Sequence, residues 1–216
     1  MQKIRLFVEL LYLIIFTTLM IIGKAQFWMA FIFVSLLLTI FFGRFYCGWA
    51  CPINTLIRPV NLLSKKLGLQ RKTPAFLKSD MPRKIVFVVF LFALTYTIYT
   101  ITQGRKFPLP LIIIPIGLLV TLFINPTAWH RYLCPWGTLF SLTGRSARKG
   151  IKSISCTGCK ACSKVCPTES ITYPATSAAF DSTNCLLCVQ CVDNCSTKAL
   201  SYGHRQSKND SGSCSD

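Results

Sequence analysis

The sequence predicts an α-helical membrane domain followed by a small α+β domain, and three observations carry that expectation. Four apolar stretches fill the first part of the chain, Lys and Arg collect in the gaps between them, and eight cysteines beyond residue 150 fall in two runs of identical spacing. The stretches are Leu6–Ile22, Phe27–Phe42, Ile85–Ile101 and Leu109–Ile124, and none has an interior Lys or Arg. Each approaches the ~20 residues a helix needs to cross a hydrocarbon core of ~30 Å. With 52% hydrophobic and only 14% charged residues in 216, such runs read as spanning helices rather than buried soluble ones. No small-residue cleavage site follows the first run, so it is read as a retained helix and not as a signal peptide.

Charge sets the orientation. The net charge of +17 comes from 24 Lys and Arg against 7 acids, but these residues form no stripe of the kind that binds nucleic acid. Arg44–Lys84 holds nine basic residues against one acid, Asp80, and the segment after Ile124 holds ten, whereas the turns at Lys24 and Arg105–Lys106 hold three. By the positive-inside rule both termini and the long central loop are cytosolic, on a cytoplasmic (inner) membrane. The basic loop 58–84 reads as a topogenic segment on anionic lipid, with docking of an acidic electron carrier as the alternative.

After Gly144 the chain becomes polar and rich in cysteine. Cys156-x-x-Cys159-x-x-Cys162-x-x-x-Cys166-Pro167 has the spacing of bacterial ferredoxins, and Cys185, Cys188, Cys191 and Cys195 repeat it 29 residues later. Three thiolates on one tight loop cap three irons of a cubane, and the fourth iron takes its ligand from elsewhere. In two-cluster ferredoxins the last cysteine of each run crosses over, which gives Cys156, Cys159, Cys162 and Cys195 for one [4Fe–4S] cluster and Cys185, Cys188, Cys191 and Cys166 for the other. Structural zinc is the competing reading of any CxxC pair. The flanks repeat as well: Cys166-Pro-Thr-Glu-Ser-Ile-Thr-Tyr parallels Cys195-Ser-Thr-Lys-Ala-Leu-Ser-Tyr, which suggests a pseudo-twofold βαββαβ-like unit. Ser196 replaces the usual proline, a change expected to act on hydrogen bonding near the first cluster. So small a domain buries little apolar surface, so its clusters are expected to hold it together.

A second cysteine set lies at the membrane edge. Cys47-Gly-Trp-Ala-Cys51-Pro52-Ile-Asn-Thr-Leu56 follows the first helix pair, and His130-Arg-Tyr-Leu-Cys134-Pro135-Trp-Gly-Thr-Leu139 follows the second, 83 residues on. The membrane part thus reads as two helix-pair repeats, each ending in CP-x-x-TL, with Cys47 opposite His130. Residues four apart share a helix face, so Cys47, Cys51, His130 and Cys134 would converge if the two halves meet. Three thiols and an imidazole suit zinc or a third iron–sulfur centre; a Cys47–Cys51 redox pair and simple helix-end packing are the other readings. Cys214, in a Ser/Asp/Gly-rich tail, is read as having no role.

These motifs, taken in order from the first helix to about residue 205, resemble the membrane-bound polyferredoxin family typified by the NapH quinol-oxidising subunit, with related modules in NosR and CcoG. The family has cysteine where this chain has His130. The resemblance implies electron exchange with the quinone pool, and an acceptor for quinol protons then falls to Glu9 or His130, the ionisable groups beside apolar surface apart from arginines.

The expectation is therefore four transmembrane helices in two repeats over residues 1–149, a C-terminal α+β ferredoxin-like domain with two [4Fe–4S] clusters over 150–205, and a disordered tail over 206–216. The expected role is an electron-transfer subunit between quinone, or an intramembrane cofactor of a partner, and cytosolic-side clusters. A metal-handling assembly factor that reduces an ion at the membrane cysteines, and a redox sensor, are the alternatives. With no Gly-rich nucleotide loop and no CxxCH, any flavin or haem belongs to partner redox subunits.

Overall fold

The computed structural model describes residues 2–104, 109–154, 156–173 and 178–204. Cys214, the tail 206–216 and the Arg105–Lys106 turn lie outside the described residues. Three helices are long and apolar enough to cross a membrane: α1 (Gln2–Ile21), α2 (Ala25–Phe42) and α5 (Asp80–Thr102). The fourth apolar run forms α6 (Leu109–Phe123), whose 15 residues reach only about 22 Å at 1.5 Å per residue. By length, then, three of the four expected spans meet the requirement. The outward faces of these helices are apolar: Phe7, Ile14, Leu37 and Phe92 are each between 63% and 74% exposed. Large apolar side chains bare in such number form the kind of surface that contacts lipid or another apolar surface, consistent with membrane association.

The turn from α1 into α2 is closed by Gly23, whose φ of 74° suits glycine at the residue after a helix. Its N–H donates to Met20 O and that of Lys24 to Leu19 O, the paired bonds that satisfy carbonyls at a helix end. α2 ends at Gly43 and gives way to the short α3 (Phe45–Trp49), then to α4 (Pro52–Lys66). α4 packs its buried face, Ile53, Thr55, Ile57 and Ser64, toward α1 and α6, and Ser64 Oγ donates to Leu122 O at 2.6 Å. After α6, a π-helical turn (Ala128–Leu133) leads to α7 (Pro135–Gly144). Aromatic rings join these elements: Phe31 meets Tyr46 at 5.7 Å, Tyr46 stacks on Phe140 at 5.3 Å and 8°, and Phe90 meets Trp136 edge-on at 4.8 Å. The core therefore lies beside α3 and α7, where the CP segments are.

The cysteine-rich part runs β1 (Lys149–Ser153), α8 (Ala161–Lys164), β2 (Ile171–Thr172), β3 (Ala179–Phe180), α9 (Gln190–Asp193) and β4 (Leu200–His204). β1 pairs antiparallel with β4, Ile151 opposite Tyr202, and β2 with β3, Ile171 opposite Phe180. The order is β-α-β-β-α-β, as the repeated flanks predict. This unit is fastened to the helices by donors from the membrane side: Trp49 Nε1 to Leu187 O at 2.9 Å, Arg44 Nη1 to Thr183 O at 3.0 Å, and Arg131 Nη1 to Glu169 O at 2.8 Å. In return Tyr202 donates its hydroxyl to Phe42 O at 3.0 Å.

Candidate metal centres

Two small cavities in the ferredoxin-like unit are lined by cysteine. One is walled by Cys156, Cys159, Cys162 and Cys195, and the other by Cys166, Cys185, Cys188 and Cys191. Each run bends around its cavity through left-handed residues at matching places: Gly158 and Lys160 in the first, Leu187 and Val189 in the second, followed by Glu169 and Lys198. The five non-glycine positions among these cost strain, which persists only where the surroundings over-determine the loop. A short helix then presents the third cysteine of each run, Cys162 on α8 and Cys191 on α9.

Polar groups face the sulfurs. Thr168 and Thr197, each two residues past the last cysteine of its run, bring their hydroxyls 3.6 Å from Cys166 Sγ and 3.5 Å from Cys195 Sγ. Ser170 N–H also donates to Cys166 Sγ at 3.4 Å, and Tyr173 OH lies 2.9 Å from Cys162 Sγ. Burial and the neighbouring Cys162 push the Tyr173 hydroxyl up to about 12, so it remains a proton-bearing donor at neutral pH. Tyr202, at the equivalent position of the second run, has turned instead to Phe42. The two sites differ in setting: Cys159 is exposed, whereas Cys188 and Cys191 are buried. Burial pushes the Cys185 thiol up to about 12, so thiolate forms there only with a cation to stabilise it.

This donor set fits a cubane. Each cavity offers four thiols, and among the described residues no three His, Cys, Asp or Glu side chains gather as a single ion would need. A four-iron cube spreads its thiolates over separate corners, whereas zinc draws four ligands to one point.

At the membrane edge, Cys51 and Cys134 occupy the same position in the two CP segments. Each precedes a proline that opens a helix, with φ and ψ of −74° and 116° at Cys51 and −72° and 111° at Cys134. Cys47 is buried; burial is the largest effect on each of the three thiols, with Cys47 and Cys134 raising Cys51 further and Cys47 adding to the burial that takes Cys134 up to about 12. Arg44 reaches toward this group, with Nη2 3.9 Å from Cys47 Sγ. His130 is also buried; desolvation, with Arg44 and Arg5 adding to it, pushes the imidazole down to about 3 and keeps it neutral. Leu186, between the first two cysteines of the second run, lies directly against Gly48 of this edge.

Three residues outside the sequence motifs also bear on the site. Arg5, 1% exposed, donates Nη1 to Cys188 O at 2.9 Å and Nε to Gly48 O at 3.0 Å. Its Nε is also 2.9 Å from Glu9 Oε1, while Arg58 Nη1 is 3.0 Å from Glu9 Oε2 and Asn54 Nδ2 donates to Glu9 at 3.3 Å. Glu9 is thus held in an ion-pair network. An Arg four residues before an acid on an apolar helix is the one sequence signal that could have pointed to it. Finally, a cavity of about 490 Å³ opens between the helices and the second cysteine run, lined among others by Tyr12, Phe31, Tyr46, Trp49, Leu187 and Val189.

Known proteins carry the same pattern. A family model described as a 4Fe-4S binding domain matches residues 24–70 and again 106–153, and one described as a 4Fe-4S dicluster domain matches 155–200. The chain is 28% identical over 156 residues to the methylamine utilization ferredoxin-type protein MauN of Methylobacillus flagellatus, covering 64% of this chain and 53% of that protein. It is 30% identical to the putative electron transport protein YccM of Escherichia coli, over 64% of this chain and 44% of YccM. With the ferredoxin-type protein NapH of Escherichia coli the identity is 25%, over 57% and 47%. The chain spans about half the length of the curated relatives it matches. No solved structure matches it.

Proposed function

Because this chain belongs to the NapH-like 4Fe-4S polyferredoxin family, we propose that it is a membrane-anchored electron-transfer subunit relaying electrons between quinone and two [4Fe–4S] clusters on the cytosolic side. Cys156, Cys159, Cys162 and Cys195 would hold one cluster, and Cys166, Cys185, Cys188 and Cys191 the other. When bound, these clusters supply one-electron steps. The protein's own contribution is to fix them, exclude water from the second, and bring it to the bilayer surface.

The observation that carries the quinone half of the reading is the 490 Å³ cavity. It is apolar and rimmed by aromatic rings, as a hydrophobic ring compound requires. Leu187 and Val189, which flank Cys188, form part of its wall. A guest there stands one residue from the second quartet. Glu9 is not among the lining residues, so its carboxylate takes no quinol proton directly, and the hydroxyls of Tyr12, Ser35, Tyr46 and Tyr202 serve to hydrogen-bond the head group and relay its protons to water. The test is addition of a reduced short-chain quinol to the oxidised, purified protein under argon, followed by EPR of reduced clusters. Absence of a reduced-cluster signal over a range of quinol potentials refutes the quinone role.

Orientation with both termini in the cytosol of a cytoplasmic membrane is supported by the basic residues in 44–84 and in the segment after Ile124, under the positive-inside rule. The repeat reading of the membrane part is supported by the family model that matches it twice and by the like geometry at Cys51 and Cys134. A second reading, ion handling or a third centre at Cys47, Cys51 and Cys134, draws on the buried Cys47 and the half-buried Cys51 and Cys134 lying beside the second cluster run, and it requires these side chains to close up around the guest, since they do not gather around a single point. Serine at Cys51 and Cys134 separates the two: quinol-dependent cluster reduction that survives while bound metal is lost favours ion handling. Partner redox subunits would carry electrons onward.

A further inference from the structure

Arg5 is an expensive residue. A guanidinium 1% exposed, in an apolar helix, is costly unless its surroundings or its role compensate. One account is mechanical: its bonds to Gly48 O and Cys188 O clamp the second cysteine run to the membrane edge. The charge balance goes further than that. Arg5 and Arg58 share the single carboxylate of Glu9, so the buried network holds a surplus of one positive charge, and Arg5 aims it at the backbone of Cys188. Among the described residues, no buried cation is hydrogen-bonded to a ligand loop of the other quartet. Its neighbouring cations, Lys160, Lys164 and Lys198, are all exposed, where solvent and salt screen them.

We propose that Arg5 sets the reduction potential of the cluster held by Cys166, Cys185, Cys188 and Cys191, raising it relative to a site with no buried cation. The inference rests on the cluster assignment above. Reduction adds one electron, and hence one negative charge, to that cluster. A fixed positive charge at hydrogen-bond distance from its ligand loop favours the reduced state, and low local dielectric magnifies the effect. Glu9 opposes it from the same network, so the two residues act with opposite sign. Arg44, which donates to Thr183 O two residues before Cys185, adds a second buried cation on the same side.

The test is an EPR-monitored redox titration of the whole detergent-solubilised protein, with iron and acid-labile sulfide counted in each variant. Arg5→Gln keeps a hydrogen-bond donor but drops the charge, and should shift one midpoint downward while leaving the other in place. Arg5→Lys keeps the charge and should restore most of the shift. Glu9→Gln should move the same midpoint upward. Tyr173→Phe, which deletes the hydroxyl on Cys162, should lower the other midpoint and so tell the two signals apart. A clamp without electrostatic influence gives no upward shift in Glu9→Gln, or an equal fall of both midpoints in every variant, and either result overturns the proposal. Should Arg5→Gln lose its clusters, the Glu9→Gln arm decides alone. Wild-type protein without labile sulfide would overturn the cluster reading itself, a different failure from fixed potentials in a cluster-loaded protein.

Discussion

Gly48 and Leu186 touch so closely that a β-carbon on Gly48 would lie 2.2 Å from the Leu186 carbonyl oxygen. One residue stands between the cysteines of the first CP segment and the other between Cys185 and Cys188. The contact joins backbone to backbone, so neither side can give way by rotating a side chain. Gly48→Ala should therefore destabilise the docking of the two domains by about 1–3 kcal/mol, the usual cost of overpacking. Limited proteolysis between Gly144 and Lys149 should release the ferredoxin-like unit faster from the variant, and an unchanged cleavage rate would count against a docked arrangement.

The crossing of ligands predicts an outcome that linear order does not. Cys166 belongs to the first run but lines the cavity of the second. Cys166→Ser should therefore abolish the EPR signal that Cys185→Ser abolishes, and spare the one that Cys156→Ser removes. A Cys166 variant that lost the signal of its own run would reverse the assignment.

Filling the apolar cavity should affect quinol and nothing else. Leu38 lines it from α2 and is 48% exposed, so Leu38→Trp adds bulk without disturbing the core. Reduction by quinol should slow at least tenfold, while reduction by dithionite stays at the wild-type rate. Equal rates with both reductants in wild type and variant would place quinol elsewhere.

His130 carries a pH dependence of defined sign. Its folded-state pKa is pushed down to about 3 from an ordinary 6.5, so between these values the unfolded chain binds a proton that the folded one refuses. Stability from this group is full above pH 6.5 and falls as the pH drops toward 3, by roughly 2 kcal/mol at pH 5. Thermal melts at pH 7 and pH 5 should differ less in His130→Asn than in wild type. An identical difference in both would show that the imidazole is not held neutral.

Much of this was legible in the sequence because spacing encodes it. The cysteine runs dictate which thiols share a loop, and the repeated flanks predict the β-α-β-β-α-β order, whereas the paired hydroxyls of Thr168 and Thr197 on sulfur emerge only from the structure. Hydropathy located the helices, and the short fourth run Leu109–Ile124 becomes the 15-residue α6 almost to the residue. What the sequence hid is long-range and polar. Nothing local says that Arg5 will reach Cys188, 183 residues away, or that Tyr202 will abandon the place Tyr173 holds for a carbonyl on α2. The spacing of Arg5 and Glu9 allows their pairing to be read from the sequence, but Arg58 and Asn54 reach Glu9 only after α4 folds back on α1.

The exchange of Cys166 and Cys195 between the two cavities also bears on how the protein matures. Neither quartet is complete until the second cysteine run, 185–195, has been synthesised, after the three long apolar helices α1, α2 and α5. On the proposed assignment, iron and sulfide would enter only after those helices are made, so loading would act on a chain that already carries its apolar helices rather than on a separate small domain.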